Sequence, residues 1–166
     1  MKKHLRMFVV LAVCVLALGV RAAVYGQNNQ DQNNQDSAVP GSYLTTITDA
    51  KTGAFASRSV ITLHTDHTLT VIDSNQEGSA FPPFSSQQGT WATSPSDRVV
   101  ARTINWSFPF ATEGTARLDY NFTTVHTNQL SGTITLTFFP PSGNPLDGGG
   151  TEAGTFNFTG VRITVP

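Results

Sequence analysis

Two charged residues stand at positions where the sequence pattern predicts apolar side chains facing a protein interior. Asp73 continues a run in which every second residue is apolar, and Arg102 interrupts a similar run that leads to Trp106. An isolated ion in a dry interior is costly, so Arg102 and Asp73 are expected to pair with each other or with a ligand. Arg102 would then meet an anionic or carbonyl group of that ligand. The predicted ligand-binding residues are Tyr43, Asp73, Trp91, Arg102, Trp106 and Tyr120.

A second interpretation of the two charged residues stays open. Arg102 or Asp73 can lie near the end of a sheet and reach water there without a ligand. Another polar group, His64 and His67 around Asp66, falls in a predicted tight hairpin and lacks a third ligand. We therefore predict no metal site, and no motif in the chain indicates a cofactor.

The elements that must position these residues are strands. Gly and Pro divide the chain after residue 40 into eight segments that alternate apolar and polar residues, and no stretch has the pattern of a helix. The predicted strands span 41–48, 58–65, 68–74, 89–94, 98–110, 114–125, 130–139 and 154–165.

Period-two alternation assigns an inward face to several of these strands. The expected inward residues in three strands are Leu69, Val71 and Asp73; Leu118, Tyr120 and Phe122; and Leu130, Ile134, Leu136 and Phe138. In the fifth strand they are Val100, Arg102, Ile104, Trp106, Phe108 and Phe110. In the last strand Phe156 and Phe158 precede Val161, Ile163 and Val165, which predicts a phase slip at Gly160.

The short connections predict that each strand pairs with the next in an antiparallel meander. Eight such strands lose both exposed edges if they close on themselves, so the predicted fold is a single antiparallel up-and-down β-barrel. A two-sheet β-sandwich is the alternative.

Five segments begin with a shared pattern in which Gly permits a turn and the next-but-one residue enters the core. They are Gly41-Ser42-Tyr43, Gly89-Thr90-Trp91, Gly114-Thr115-Ala116, Gly132-Thr133-Ile134 and Gly154-Thr155-Phe156. These motifs resemble those of calycin-type, lipocalin-like barrels, and the overall pattern is similar to the eight-stranded barrels of allene oxide cyclases and dirigent proteins. The first resemblance implies a ligand held inside the barrel. The second implies an enzyme that steers cyclisation or coupling of an apolar substrate, with no catalytic motif to carry over.

The N-terminus predicts secretion. Basic residues precede an apolar run, 7–20, of about 14 residues, which is too short to span a bilayer as a helix. Residues 1–26 are a predicted bacterial-type signal peptide, with cleavage after Gly26 favoured over Ala22. Residues 27–40 contain the sequence Gln-Asn-Asn-Gln-Asp twice and predict a disordered leader before the 41–166 domain.

Removal of the signal changes the charge of the chain. The single Cys is lost with it, so the mature periplasmic or extracellular protein is expected to be disulfide-free. Six Lys and Arg then remain against eleven Asp and Glu, a net charge of −5. This balance argues against nucleic acid as a partner, and we expect no membrane span in the mature chain.

Three functions stay open from the sequence. The first is binding of a small apolar or amphipathic molecule inside the barrel by a protein without catalytic activity. The second is an isomerase or cyclase of the allene oxide cyclase type in the same interior. The third is a surface module that binds glycan or protein through exposed aromatic residues such as those of Phe81-Pro82-Pro83-Phe84. The sequence leaves the oligomeric state open, and a monomer is favoured.

Overall fold

The computed structural model describes residues 40–78, 81–94, 98–126 and 128–166. The predicted signal peptide and all but the last residue of the predicted leader lie outside these ranges. No helix within them is both long and apolar enough to cross a membrane.

Eight strands form the domain, and each of the eight predicted segments overlaps one of them. β1 is Gly41–Asp49, β2 is Phe55–Leu63, β3 is Thr68–Asp73, β4 is Gln87–Thr93, β5 is Val99–Trp106, β6 is Thr115–His126, β7 is Gln129–Phe139 and β8 is Thr151–Arg162. The sequence pattern missed one short helix, α1, at Phe110–Glu113 between β5 and β6. Four residues are too few to show the helical period in a sequence.

The strands close into a barrel in sequence order, which confirms the predicted fold and excludes the open sandwich. Each strand pairs antiparallel with the next, and β8 returns to β1 with Leu44 opposite Val161. Because β1 and β8 pair with each other from Tyr43 to Asp49 and from Phe156 to Arg162, neither strand is left as an open edge of the sheet along that stretch.

The predicted faces of β3 and β6 are confirmed. Leu69 and Val71 are buried with Asp73 half-buried after them, and Tyr120 and Phe122 are buried on β6. On β7, Leu130 and Ile134 face inward as expected. The second residue after Gly is buried in four of the five shared strand-opening motifs and half-buried in the fifth, at Phe156.

The predicted face of β5 is wrong. Its inward residues are Val99, Ala101, Thr103 and Asn105, and Ser107 follows them into the interior just past the strand. Arg102 and Trp106 therefore lie on the outer face, and Phe108 and Phe110 beyond the strand are exposed as well. The more polar face of β5 is the buried one. Its Thr103 donates to Gln87 inside the barrel, whereas Arg102 pairs with Asp119 on the outer face, and these contacts outweigh the hydrophobic pattern.

The predicted phase slip at Gly160 is also wrong. Gly160 keeps the inward phase of Phe158, and a Cβ there would lie 2.6 Å from the methyl carbon of Thr45. Arg162 consequently lies over the ring of Tyr43, 5.8 Å from its centroid, while Val161 is 61% exposed. The register shift next to β8 occurs instead between Leu136 and Thr137 of β7.

Candidate functional site

The interior of the barrel has a packed half, at the end where β1, β3, β5 and β7 begin. Its buried side chains include Tyr43, Leu63, Leu69, Trp91, Leu130 and Phe158. The ring of Phe158 meets those of Tyr120 and Phe122 edge-on, at centroid distances of 6.0 and 5.2 Å. This half is the apolar core that stabilises the closed barrel.

The other half of the interior encloses a cavity of about 350 Å³, at the end where β2, β4, β6 and β8 begin. Its apolar wall includes Ile47, Leu118, Ile134, Leu136, Phe138 and Phe156. The loop between β3 and β4 covers part of the opening with Phe81, Pro82 and Phe84, and Glu113 of α1 lies at the rim. The cavity reaches the surface here, since Phe81, Pro82 and Glu113 are exposed.

Asp73 places a carboxylate on the cavity wall. It is the last residue of β3, opposite Ser59 of β2, and both Ser57 and Ser59 donate hydrogen bonds to its Oδ2. The backbone N–H of Asn75 donates to Oδ1 at 2.8 Å. Asp73 is thus held in one orientation by the strand beside it and by the turn that follows it.

Gln87 forms a second polar group, between the cavity and the packed half. Its Oε1 accepts hydrogen bonds from Tyr120 Oη at 2.7 Å and from Thr103 Oγ1 at 2.8 Å. All three residues are buried, so one amide oxygen satisfies two hydroxyl donors that have no access to water.

Asn105 is the third polar group and differs from the other two. It is 5% exposed and lines the cavity from β5. Among the described residues, its Oδ1 is the single buried side-chain polar atom without a hydrogen-bond partner. Such an atom is rare in folded proteins because leaving it unpaired costs about 1–3 kcal/mol.

The structure brings four of the six predicted site residues to the interior. Asp73 lines the cavity, Tyr120 lies just below it through Gln87, and Tyr43 and Trp91 belong to the packed half. Trp91 Nε1 donates to the carbonyl of His64 at 2.9 Å, and its ring lies 4.4 Å from that of His67. The His64–His67 hairpin therefore packs on Trp91, and the described residues contain no cluster suited to a metal ion.

Arg102 and Trp106 do not belong to this site, which corrects the predicted Arg102–Asp73 pair. Arg102 Nε bonds Asp119 Oδ1 on the outer face, and the two residues are directly opposite on β5 and β6. Asp119 also accepts from Arg117 Nε at 3.0 Å. Trp106 is 57% exposed. The interior therefore contains the predicted carboxylate without the predicted guanidinium.

Gln87, Asn105 and the two serines that hold Asp73 are functional-site residues that the sequence pattern does not predict. One signal for the face of β5 was present: Arg102 and Asp119 have opposite charges on consecutive strands, and such residues pair across strands on a solvated face. Nothing comparable marks Gln87 or Asn105, because their roles depend on partners that are distant in sequence.

Ionisation of the two buried tyrosines is expected to destabilise the folded protein at alkaline pH. Burial raises the pKa of Tyr120, to which the charge of Asp73 adds, and burial raises the pKa of Tyr43 against the opposing charge of Arg162. A raised pKa in the folded state means stability that is complete below the unfolded value, near 10, and falls as pH rises above it. Urea denaturation at increasing alkaline pH should show this loss, and Tyr120→Phe should reduce its slope. An equal slope in the variant would contradict the assignment to Tyr120.

The arrangement of the cavity can hold a small molecule by apolar contact and orient it by hydrogen bonds to Asp73 and Asn105. Comparison with known proteins found no matching family model, no matching curated protein and no matching solved structure.

Proposed function

We propose that this β-barrel is a secreted protein that binds a small apolar or amphipathic molecule in its cavity. The observation that supports the proposal is a mostly apolar cavity of about 350 Å³ with a few polar groups on its wall. Interiors of folded proteins contain few voids larger than a water molecule, whose share of liquid volume is about 30 Å³. A cavity this much larger falls within the range of ligand sites, about 300–1,000 Å³.

The barrel architecture supports the same proposal. Eight strands enclose an interior that is just wide enough either to be filled by side chains or to hold one small ligand. This barrel combines both arrangements, with a packed half for stability and a cavity half that opens beside the β3–β4 loop. Secretion, with the signal peptide on which it depends, is part of the proposal and rests on the N-terminal sequence alone.

The proposal predicts that filling the cavity abolishes binding. Leu118 lines the cavity, so Leu118→Trp adds an indole ring to the space that a ligand would occupy. With a neutral fluorescent probe such as N-phenylnaphthylamine, we expect the wild type to enhance the emission of the probe and Leu118→Trp to lose at least about 90% of that effect, since binding is mainly apolar burial.

Leu44→Trp is the matched control, because Leu44 is 46% exposed on the outer face of β1. It makes the same substitution outside the cavity and should bind the probe like the wild type. Equal binding by both variants would contradict the proposed site.

Exposed aromatic residues support the surface interaction module as a second candidate. Trp106, Phe108 and Phe110 are 57%, 45% and 40% exposed, and the backbone N–H of Phe108 bonds the carbonyl of Pro83 near the exposed Phe81. Binding of glycan or protein at this surface would be lost in Trp106→Ala and unchanged in Leu118→Trp, which is the reverse of the result expected for the cavity.

A further inference from the structure

The charge of the cavity wall is negative without a compensating cation. Its lining residues include two carboxylates, Asp73 and Glu113, and none is Lys, Arg or His. The two ion pairs among the described residues both involve Asp119 on the outer face. A carboxylate beside apolar surface is more stable with a positive partner than without one.

Asp73 retains the capacity for one more hydrogen bond. A carboxylate offers about four lone-pair sites, and the bonds from Ser57, Ser59 and the N–H of Asn75 use three of them. The remaining site is on Oδ1. These three bonds fix the carboxylate before a ligand arrives, so little orientation entropy is lost on binding.

Asn105 provides an independent indication of a ligand that donates hydrogen bonds. Its Oδ1 is a buried acceptor without a hydrogen-bond partner, and the residue, which is 5% exposed, lines the same cavity. Asp73 and Asn105 lie on β3 and β5, on either side of β4, and neither offered oxygen is a donor. An anionic or carbonyl ligand would present a further acceptor to both of these oxygens and would leave Asn105 Oδ1 unpaired.

On this basis we infer that the cavity selects a small apolar molecule that carries a protonated amine, which binds Asp73, and a second hydrogen-bond donor, which Asn105 Oδ1 accepts. The inference rests on the proposed function and gives its ligand a chemical class. It also reverses the polarity expected from the sequence, in which an arginine was to meet an anionic group.

Three probes with one compact apolar body and different head groups test the charge: adamantyl amine, adamantyl alcohol and adamantyl carboxylate. Isothermal titration calorimetry of the purified protein should give the amine at least about tenfold tighter binding than the alcohol, because its ammonium forms an ion pair with Asp73 whereas the hydroxyl is a neutral donor, with the carboxylate weakest. Asp73→Asn should remove the preference for the amine over the alcohol, because the variant keeps a hydrogen-bonding side chain but has no charge.

Asp66→Asn is the matched control. It removes the same charge from an exposed hairpin at the opposite end of the barrel, so the preference for the amine should persist. Asn105→Leu tests the second acceptor without altering any charge. An adamantyl amino alcohol should bind the wild type about fivefold more tightly than the amine through its added hydroxyl, and this gain should vanish in Asn105→Leu.

The possible results separate the inference from the proposed function. Equal or tighter binding of the carboxylate would overturn the inference while the cavity still binds apolar molecules. If none of the three probes binds, the inference is also overturned. Binding of the neutral dye to the wild type and to Leu118→Trp would then test the proposed function of the cavity separately. If Asp73→Asn does not fold, the ranking of the three head groups on the wild type still confirms or rejects the charge preference.

Discussion

Trp91→Ala is expected to destabilise the protein by about 3–5 kcal/mol, whereas Trp106→Ala should cost less than about 1 kcal/mol. The chain contains two tryptophans, and the barrel places them on opposite faces of adjacent strands. Trp91 is 2% exposed, and its truncation would leave a cavity in the packed half and remove the hydrogen bond to His64. Trp106 is 57% exposed, so its replacement by alanine removes mainly contacts between the indole ring and water.

Urea denaturation of the two variants beside the wild type measures this difference. The midpoint should fall strongly for Trp91→Ala and little for Trp106→Ala, with similar slopes in a two-state analysis. Because Trp106 was expected inside the barrel from its sequence pattern, the pair also tests the corrected face of β5. Comparable losses of stability in both variants would contradict the position of Trp106 on the outer face of β5.

Gln87→Leu is the second substitution with a large expected effect, about 2–6 kcal/mol of lost stability. Leucine has a similar size but cannot accept the hydrogen bonds from Tyr120 and Thr103. Both hydroxyls are buried, so each would lose a partner that water cannot replace. Two unsatisfied donors at about 1–3 kcal/mol each account for the expected range.

The neighbouring Gln88 supplies the matched control, since it is exposed on the opposite face of β4. Gln88→Leu should change the denaturation midpoint little. Adding Tyr120→Phe and Thr103→Val to Gln87→Leu should recover part of the loss, because removal of all three polar groups leaves none unsatisfied. No recovery would mean that packing, rather than the shared oxygen of Gln87, causes the loss.

The polarity of the cavity depends on which face of β5 points into the barrel. A shift of one residue in the phase of β5 moves Arg102 from the interior to the outer face and brings Asn105 inside. The described lining of the cavity then includes carboxylates and no cation, and the proposed ligand changes from an anion to a hydrogen-bond donor. Asp73 lines the cavity, as predicted, because the predicted inward face of β3 is the one observed.

The sequence by itself was sufficient for the number and order of the strands. Gly and Pro mark the turns, and the short connections favour pairing of each strand with the next. Closure of the eight strands into a barrel then pairs the first strand with the last and removes both exposed edges. It was also sufficient for the faces of β3 and β6, where apolar and polar residues alternate clearly. These features are local, because turn chemistry and period-two alternation act over a few residues.

Only the tertiary structure decided the face of β5 and the composition of the cavity. Both faces of β5 combine apolar with polar residues, so the alternation alone does not identify the buried face. The buried face is decided by the partners of the polar side chains. Thr103 donates a hydrogen bond to Gln87 inside the barrel, and Arg102 forms an ion pair with Asp119 on the outer face. Those partners are 16 and 17 residues away in the chain, and they meet only when the strands pair in one register.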